Sequence, residues 1–341
     1  MHPALVPIVD RRAPADADQW DALWQALADG ALDRGDALAL LASLTAALPE
    51  PDGLLALLDA LDRRRPARPA TPWPGTVNVV GTGGGPPTVN LSTASALVAA
   101  ACGVRVVKSG SRAHTARTGS IDLLDRLGVP LAASLDQTYG RLDAHGIAFT
   151  GPFVYPVQLA RLALLAVPTP MRVFGRFLNT VGPFLAAVPV AAQVTGVSGA
   201  DGGGLLPALR AVAARPGAPT TWLVTNPLGA DELLSICDNT VHLPDGTTLT
   251  LRAGDLVPAD GRLDDLVPVS RDAAADHFRT VLAGRAGGPL RATLQLNAAA
   301  LTLASGHRDD WAKAVAEAGA ALDDGAALDL LERLKGADRA R

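Results

Sequence analysis

Residues 77–129 read VNVVGTGGGPPTVNLSTASALVAAACGVRVVKSGSRAHTARTGSIDLLDRLGV, and the alternation within this stretch decides the fold. Val77, Val79 and Val80 form a β-branched run that stops at Gly81; Gly81, Gly83, Gly84 and Gly85 then permit positive φ and close approach of backbone N–H groups to a ligand. Pro86 and Pro87 stiffen the turn. Asn90, Ser92 and Thr93 stand at the mouth of an alanine-rich helix predicted over 94–102, where unpaired N–H groups and the helix dipole favour an anion. A second strand, Val104 to Val107, ends in Lys108, Ser109, Gly110, Ser111 and Arg112, which brings two cations to the carboxyl end of a parallel sheet. Thr118, Gly119 and Ser120 open a further helix. The expectation is two anion-binding loops side by side, with neither the dinucleotide GxGxxG nor the P-loop spacing.

Upstream, Leu23, Trp24 and Leu27, then Leu38, Leu41 and Leu44, then Leu54, Leu55 and Leu58 recur at helical steps, predicting three helices between Trp20 and Leu61. Residues 63–74, RRRPARPATPWP, read as an extended connection with solvated arginines. Downstream, a helix over 135–144 and a strand over 146–149 precede a loop holding Phe153, Tyr155 and Pro156. Strand 191–199, helix 205–214 and strand 220–226 continue the alternation; strand pieces at 240–243 and 247–251 and helices at 311–321 and 325–334 close the chain. Helices first and strand–helix alternation later predict an α/β protein: a small N-terminal helical domain, residues 1–70, with part of 155–190 packed on it, and a larger α/β domain, 71–341, around a central, mostly parallel sheet.

The chain of 341 residues is 48% hydrophobic, enough to bury a large core, and its net charge of −4 argues against a broad basic nucleic-acid surface. Acidic small-molecule ligands remain compatible with that charge. No apolar run is long enough to span a membrane, and the N-terminus lacks an export signal, so a cytoplasmic location is expected. Cys102 and Cys237 have no CxxC or CxxH partner and read as ordinary reduced thiols packed in the core. No Ser/His/Asp or Cys/His set stands out, and His114 and His145, the histidines nearest the loops in sequence, read as surface or satisfied polar residues.

Asp231 and Glu232 follow the strand at 220–226 and carry two readings: acids stabilising the first turn of a helix, or loop carboxylates reaching a hydrated Mg²⁺ together with phosphate oxygens.

The order GTGG, TVNLST, VxKSGSR and TGSIDLLDRLGV resembles the anthranilate phosphoribosyltransferase family, and the likeness extends over most of residues 20–335. The resemblance implies a magnesium-dependent glycosyltransferase using phosphoribosyl pyrophosphate (PRPP). It assigns Gly81, Thr82, Gly83, Gly84, Asn90, Ser92, Thr93, Lys108 and Ser120 to PRPP, and Ser92, Asp231 and Glu232 to Mg²⁺, the last two matching the family's Gly-x-Asp-Glu. It also implies a homodimer, with a small aromatic acceptor as the other substrate and neither nucleic acid nor membrane as partner. The chain departs from the family pattern at named positions. Gly85 and Pro86 stand where Asp-Gly is usual, in a loop one residue shorter, and Lys-Ser-Gly-Ser-Arg replaces Lys-His-Gly-Asn-Arg. At 273–278, AAADHF replaces the usual Asn-Ala before a helix. In the acceptor region, Ser109, Ser111, Tyr155, Arg161 and Arg172, the family's histidine falls at Tyr155 or Pro156 and its carboxylate-binding arginine has no counterpart in register. An acceptor other than anthranilate, an aromatic acid or amine, is the resulting expectation. A pyrimidine-nucleoside-phosphorylase-like enzyme and a non-catalytic ligand-binding homologue are the alternatives.

Overall fold

The computed structural model describes residues 1–65, 71–110, 119–170 and 174–335. Its first part is helical: α1 (Val6–Asp10), α2 (Ala17–Ala28), α3 (Arg34–Ala46) and α4 (Pro51–Asp62). Asp16 with Gln19 and Asp33 with Asp36 form capping boxes that start α2 and α3. The C-terminal end of α3 is held by Arg11, whose guanidinium donates to the carbonyls of Ser43 and Ala47, each at 2.6 Å. Trp20 and Trp24 stack at 6.1 Å among the buried leucines, and the indole N–H of Trp20 donates to the Gly53 carbonyl at 3.0 Å.

The arginines that follow α4 are not the solvated linker expected. Arg63 and Arg64 both pair with Asp21, and Arg65 pairs with Asp62 while its side chain is only 6% exposed. They tie the end of the helical layer to itself; residues 66–70 lie outside the described residues.

Beyond them the strand–helix alternation runs β1 (Trp73–Val79), α5 (Leu91–Ala101), β2 (Arg105–Lys108), α6 (Ser120–Leu127), α7 (Leu135–His145), β3 (Ile147–Phe149), α8 (Val157–Ala166) and α9 (Gly175–Leu185). It continues through β4 (Val190–Gly196), α10 (Leu206–Ala213), β5 (Thr220–Thr225), β6 (Asn239–His242), β7 (Thr248–Leu251), α11 (Ala274–Leu282), α12 (Gly288–Ala304), α13 (Trp311–Asp323) and α14 (Ala326–Leu334). The seven strands form one sheet in the order β3-β2-β1-β4-β5-β6-β7. The first five run parallel, and β6 and β7 are antiparallel additions at the edge. Strand β1 is central, with Val77 facing Val106 on one side and Ala192 on the other.

Two large apolar cores result. One joins β1, β2, α5, α6 and α11 to α14; the other joins the N-terminal helices to Leu162, Phe177, Val181 and Leu185 of α8 and α9, and to Leu209, Val197 and Leu223. No helix among the described residues is long and apolar enough to cross a membrane.

Candidate active site

The loop after β1 and the turn after β5 meet at the carboxyl end of the sheet, where parallel strands leave their N–H groups and helix N-termini facing a ligand. Sterics enforce this meeting. A Cβ on Gly81 would lie 2.0 Å from Asp231 Oδ2, one on Gly196 would lie 1.7 Å from the Asp231 carbonyl, and one on Gly85 would lie 2.6 Å from the Gly229 carbonyl. Gly85, which replaces the family's acid, is thus packed against the turn carrying the carboxylates. Only hydrogen fits there.

Asp231 Oδ2 accepts from the Gly83 backbone N–H at 2.8 Å. Asn226 shapes the turn, donating to the carbonyls of Ala230 (3.0 Å) and Glu232 (2.9 Å) and accepting from Ala230 N–H at 3.2 Å. No helix follows Glu232, so the helix-capping reading of the two acids does not hold; they project from a loop. Burial raises the pKa of Asp231, against the opposing pull of the Gly83 N–H and the Lys108 cation. Glu232 is raised well above the usual carboxylate range, by burial first and by the neighbouring Asp231 charge second.

Lys108 ends β2 and is buried; its ammonium donates to the Val79 carbonyl at 3.2 Å. Burial pushes its pKa down to about 8, although Glu232 and Asp231 favour the charged form. A small cavity brings Lys108, Gly110 and Ser120 together, and Ser120 is the first residue of α6.

Asn90 is the N-cap of α5, which begins three residues earlier than predicted, so Ser92 and Thr93 lie within its first turn. Thr93 is fully buried and its hydroxyl has no hydrogen-bond partner. Thr82 is committed internally: its hydroxyl accepts from the Ser198 N–H at 2.9 Å, and its own N–H donates to the Gly196 carbonyl at 2.9 Å. Its role in the structure is to clamp the glycine loop onto β4. Gly84 is exposed at the tip of that loop.

The hydroxyl that reaches Glu232 is that of Thr88, at 3.4 Å, and no hydrogen bond joins Ser92 to either acid. Thr88, Asn226 and Gly196 escaped the sequence reading, because a threonine, an asparagine and a glycine far apart in the chain carry no spacing signal. Asn78 did carry one, as a polar residue inside a β-branched run.

The acceptor region is less uniform. Ser109 is buried beside Lys108, and Tyr155 is half-buried just before α8. Arg161 is exposed on α8, turned away from the core. Ser111, Arg172 and His114 lie outside the described residues, and His145 ends α7. Cys102 and Cys237 are half-buried rather than core residues; burial pushes both thiols up to about 11.

The recessed carboxylates of Asp231 and Glu232 offer oxygen ligands suited to a hard divalent cation, and the Lys108 ammonium beside them is suited to the phosphate oxygens such a cation would bridge. Burial first and the Asp231 charge second disfavour the ionised form of Glu232, and a bound divalent cation would favour it. Among the described residues no cluster of three or more His, Cys, Asp or Glu side chains offers a competing metal site.

The a/b-domain model of the glycosyl transferase family matches residues 74–328. Anthranilate phosphoribosyltransferase of Rhodospirillum rubrum is 33% identical over 266 residues, covering 76% of this chain and 74% of that one. The enzyme of the same name from Methylobacterium nodulans is 32% identical over 312 residues, covering 90% of each. Among solved structures, anthranilate phosphoribosyltransferase from Thermus thermophilus superposes with a TM-score of 0.81 at 30% identity, over 99% of this chain and 100% of that one. The Saccharomyces cerevisiae enzyme in complex with PRPP and Mg shares the fold, with a TM-score of 0.73 at 23% identity over 93% of this chain and 91% of its own. With matching motifs in order, the sheet they build and relatives of this similarity along most of its length, the chain is a glycosyltransferase of the anthranilate phosphoribosyltransferase family.

Proposed function

We propose that this protein transfers the phosphoribosyl group of PRPP, with Mg²⁺, to an aromatic acid or amine other than anthranilate. The observation that carries the donor half is the convergence of Asp231, Glu232, Lys108 and the Gly81–Gly84 loop at one sheet end. When bound, Mg²⁺ neutralises charge building on the leaving diphosphate. Asp231 and Glu232 would hold it. Lys108, Ser120 and the first turn of α5 with Asn90, Ser92 and Thr93 bind phosphate oxygens, and the Gly83 N–H, donating to Asp231 Oδ2, holds that carboxylate in place. The protein supplies no nucleophile, because transfer at C1 of the ribose needs position and charge compensation rather than a covalent intermediate.

The acceptor half rests on what the α8 segment offers. Arg161 is exposed and the family's histidine falls at Tyr155 or Pro156, so none of these residues supplies a recessed cation for a substrate carboxylate. Homodimerisation is part of the same reading. Val157, Leu164 and Val167 lie exposed along and just beyond α8, an apolar stripe suited to a second copy.

The test supplies PRPP, Mg²⁺ and a panel of aromatic acids and amines and follows pyrophosphate release. Saturable, magnesium-dependent PRPP binding with turnover of a panel member other than anthranilate is expected. No PRPP binding at millimolar concentration would sink the donor assignment, and efficient turnover of anthranilate would overturn the acceptor assignment alone.

A further inference from the structure

Strand β4 stops at Gly196, short of the predicted residue 199, and the chain turns through Ser198, Gly199, Ala200 and Asp201 into a loop. That loop is fastened to the donor site on two sides. The Gly199 N–H donates to the Gly229 carbonyl at 3.0 Å, and the Asp201 N–H to the Asn226 carbonyl at 3.2 Å, both on the turn that carries Asp231 and Glu232. A Cβ on Gly229 would lie 3.1 Å from the Ala200 nitrogen, and one on Gly85 would lie 2.6 Å from the Gly229 carbonyl. The three segments approach as closely as glycine allows.

Thr82 sets the direction of the Ser198 hydroxyl. The Ser198 N–H can only donate, and it meets Thr82 Oγ1 at 2.9 Å; the fully buried Thr82 hydroxyl donates in turn to Ser198 Oγ at 3.2 Å. Ser198 Oγ therefore accepts from Thr82, and its own proton points elsewhere. No hydrogen bond among the described residues uses that proton. Ser198 is half-buried, and its oxygen lies 3.9 Å from the place a Cβ would take on Gly84, the exposed tip of the glycine loop. The sheet order puts Lys108, at the end of β2, on one side of that loop and Ser198, after β4, on the other. A cation thus stands at one wall of the site and an uncharged donor at the wall nearer the two carboxylates.

We propose that Ser198 is a further PRPP-binding residue, which donates its hydroxyl proton to an oxygen of the diphosphate. A hydroxyl already directed outward loses little freedom on meeting an anion, and a hydrogen bond to a charged group is stronger than one between neutral groups. The diphosphate, not the ribose, is the partner, because Ser198 is fastened to the turn whose carboxylates would hold the metal of the leaving group. The inference rests on the phosphoribosyl-transfer reading and extends its donor site.

The test measures binding of PRPP and of pyrophosphate, each with Mg²⁺, to the full chain by titration calorimetry. Ser198→Ala keeps the backbone N–H that Thr82 accepts, so the link between the glycine loop and β4 remains and only the hydroxyl is lost. Kd for both ligands is expected to rise about tenfold. The factor should be the same at pH 6.5 and pH 9.5, because a serine hydroxyl does not titrate there, whereas an effect relayed through Lys108 would fade above about pH 8. Ser198→Thr, which keeps a hydroxyl, should stay within about threefold of the unaltered protein. Ser198→Ala should melt within about 4 °C of it. An unchanged Kd in Ser198→Ala, a loss that Ser198→Thr shares in full, a factor that changes with pH, or a Ser198→Ala chain that does not fold would overturn the inference. So would pyrophosphate binding that is absent or unaffected while PRPP binding weakens. Absence of PRPP binding by the unaltered protein is the distinct result that removes the transfer reading and this inference together.

Discussion

Glu232 carries the largest electrostatic cost at the site, since burial and the Asp231 charge both oppose its ionisation. Removing one charge should stabilise the metal-free fold and abolish the chemistry. Glu232→Gln is expected to raise Tm by roughly a degree or two without Mg²⁺ and to lower kcat/KM for PRPP by about a hundredfold or more. A melting scan and initial rates check both halves; a fall in Tm would mean that Glu232 is better compensated than its surroundings show. Lys108 gives a pH signature. With its pKa near 8 it is cationic below that pH and neutral above it, so PRPP affinity should decline as pH rises through about 8. Stability should move the other way. The folded value lies below the unfolded one of 10.5, so folded protein holds fewer protons between about 8 and 10.5, and this residue's contribution grows with pH in that window. Titration calorimetry across pH 6.5–9.5 on the unaltered protein and on Lys108→Met, which should be weak and flat, separates the lysine from other groups.

At the level of elements, the site is held by backbone contacts that only glycine allows. Gly196→Ala would drive its Cβ into the Asp231 carbonyl, and the turn from Asn226 to Glu232 must shift away. A loss of about 2–4 kcal/mol and of PRPP binding is expected, measured by urea unfolding and calorimetry. Gly140, on the exposed face of α7, has nothing within 4 Å of a built Cβ. Alanine there should add about 0.5–1 kcal/mol and leave binding intact, and a loss of binding would show that the Gly196 effect is not local to the site. Local pattern made the strands, α5 and the glycine loop legible, because β-branched runs, small-residue periodicity and glycine act over a few residues. It misplaced the start of α5 and took Asp231 and Glu232 for possible helix caps, since a loop and a helix start share the same polar residues.

For the whole molecule, the proposed division at residue 70 crosses a core rather than a gap. The buried residues of α8 and α9, Leu162, Phe177, Val181 and Leu185, pack with those of α2 to α4 although more than a hundred residues separate them in sequence. Residues 1–70 and 71–341 are accordingly proposed as two domains that unfold together. Calorimetry should show one transition, and a chain starting at residue 71 should expose the α8–α9 face and aggregate. Two resolved transitions, or a soluble fragment that still binds PRPP, would show the helical layer to be dispensable. The arginines after α4 illustrate what sequence could not supply: their proline-rich setting read as a linker, yet Asp21 in α2 and Asp62 in α4 pair with them.

The sequence by itself determined the parallel α/β order, the glycine loop, the lysine at the end of β2 and the two adjacent acids, because each is written in neighbouring residues. Only the tertiary structure decided that Asp231 lies against Gly81 and Gly83, that Thr88 rather than Ser92 reaches Glu232, and that Asn78 accepts from both the N–H and the hydroxyl of Ser109. The physical reason is the sheet order. Placing β4 beside β1 sets Gln193 against Asn78 and brings the loops after β1 and β5 to one edge, a pairing of residues more than a hundred positions apart that no local pattern encodes.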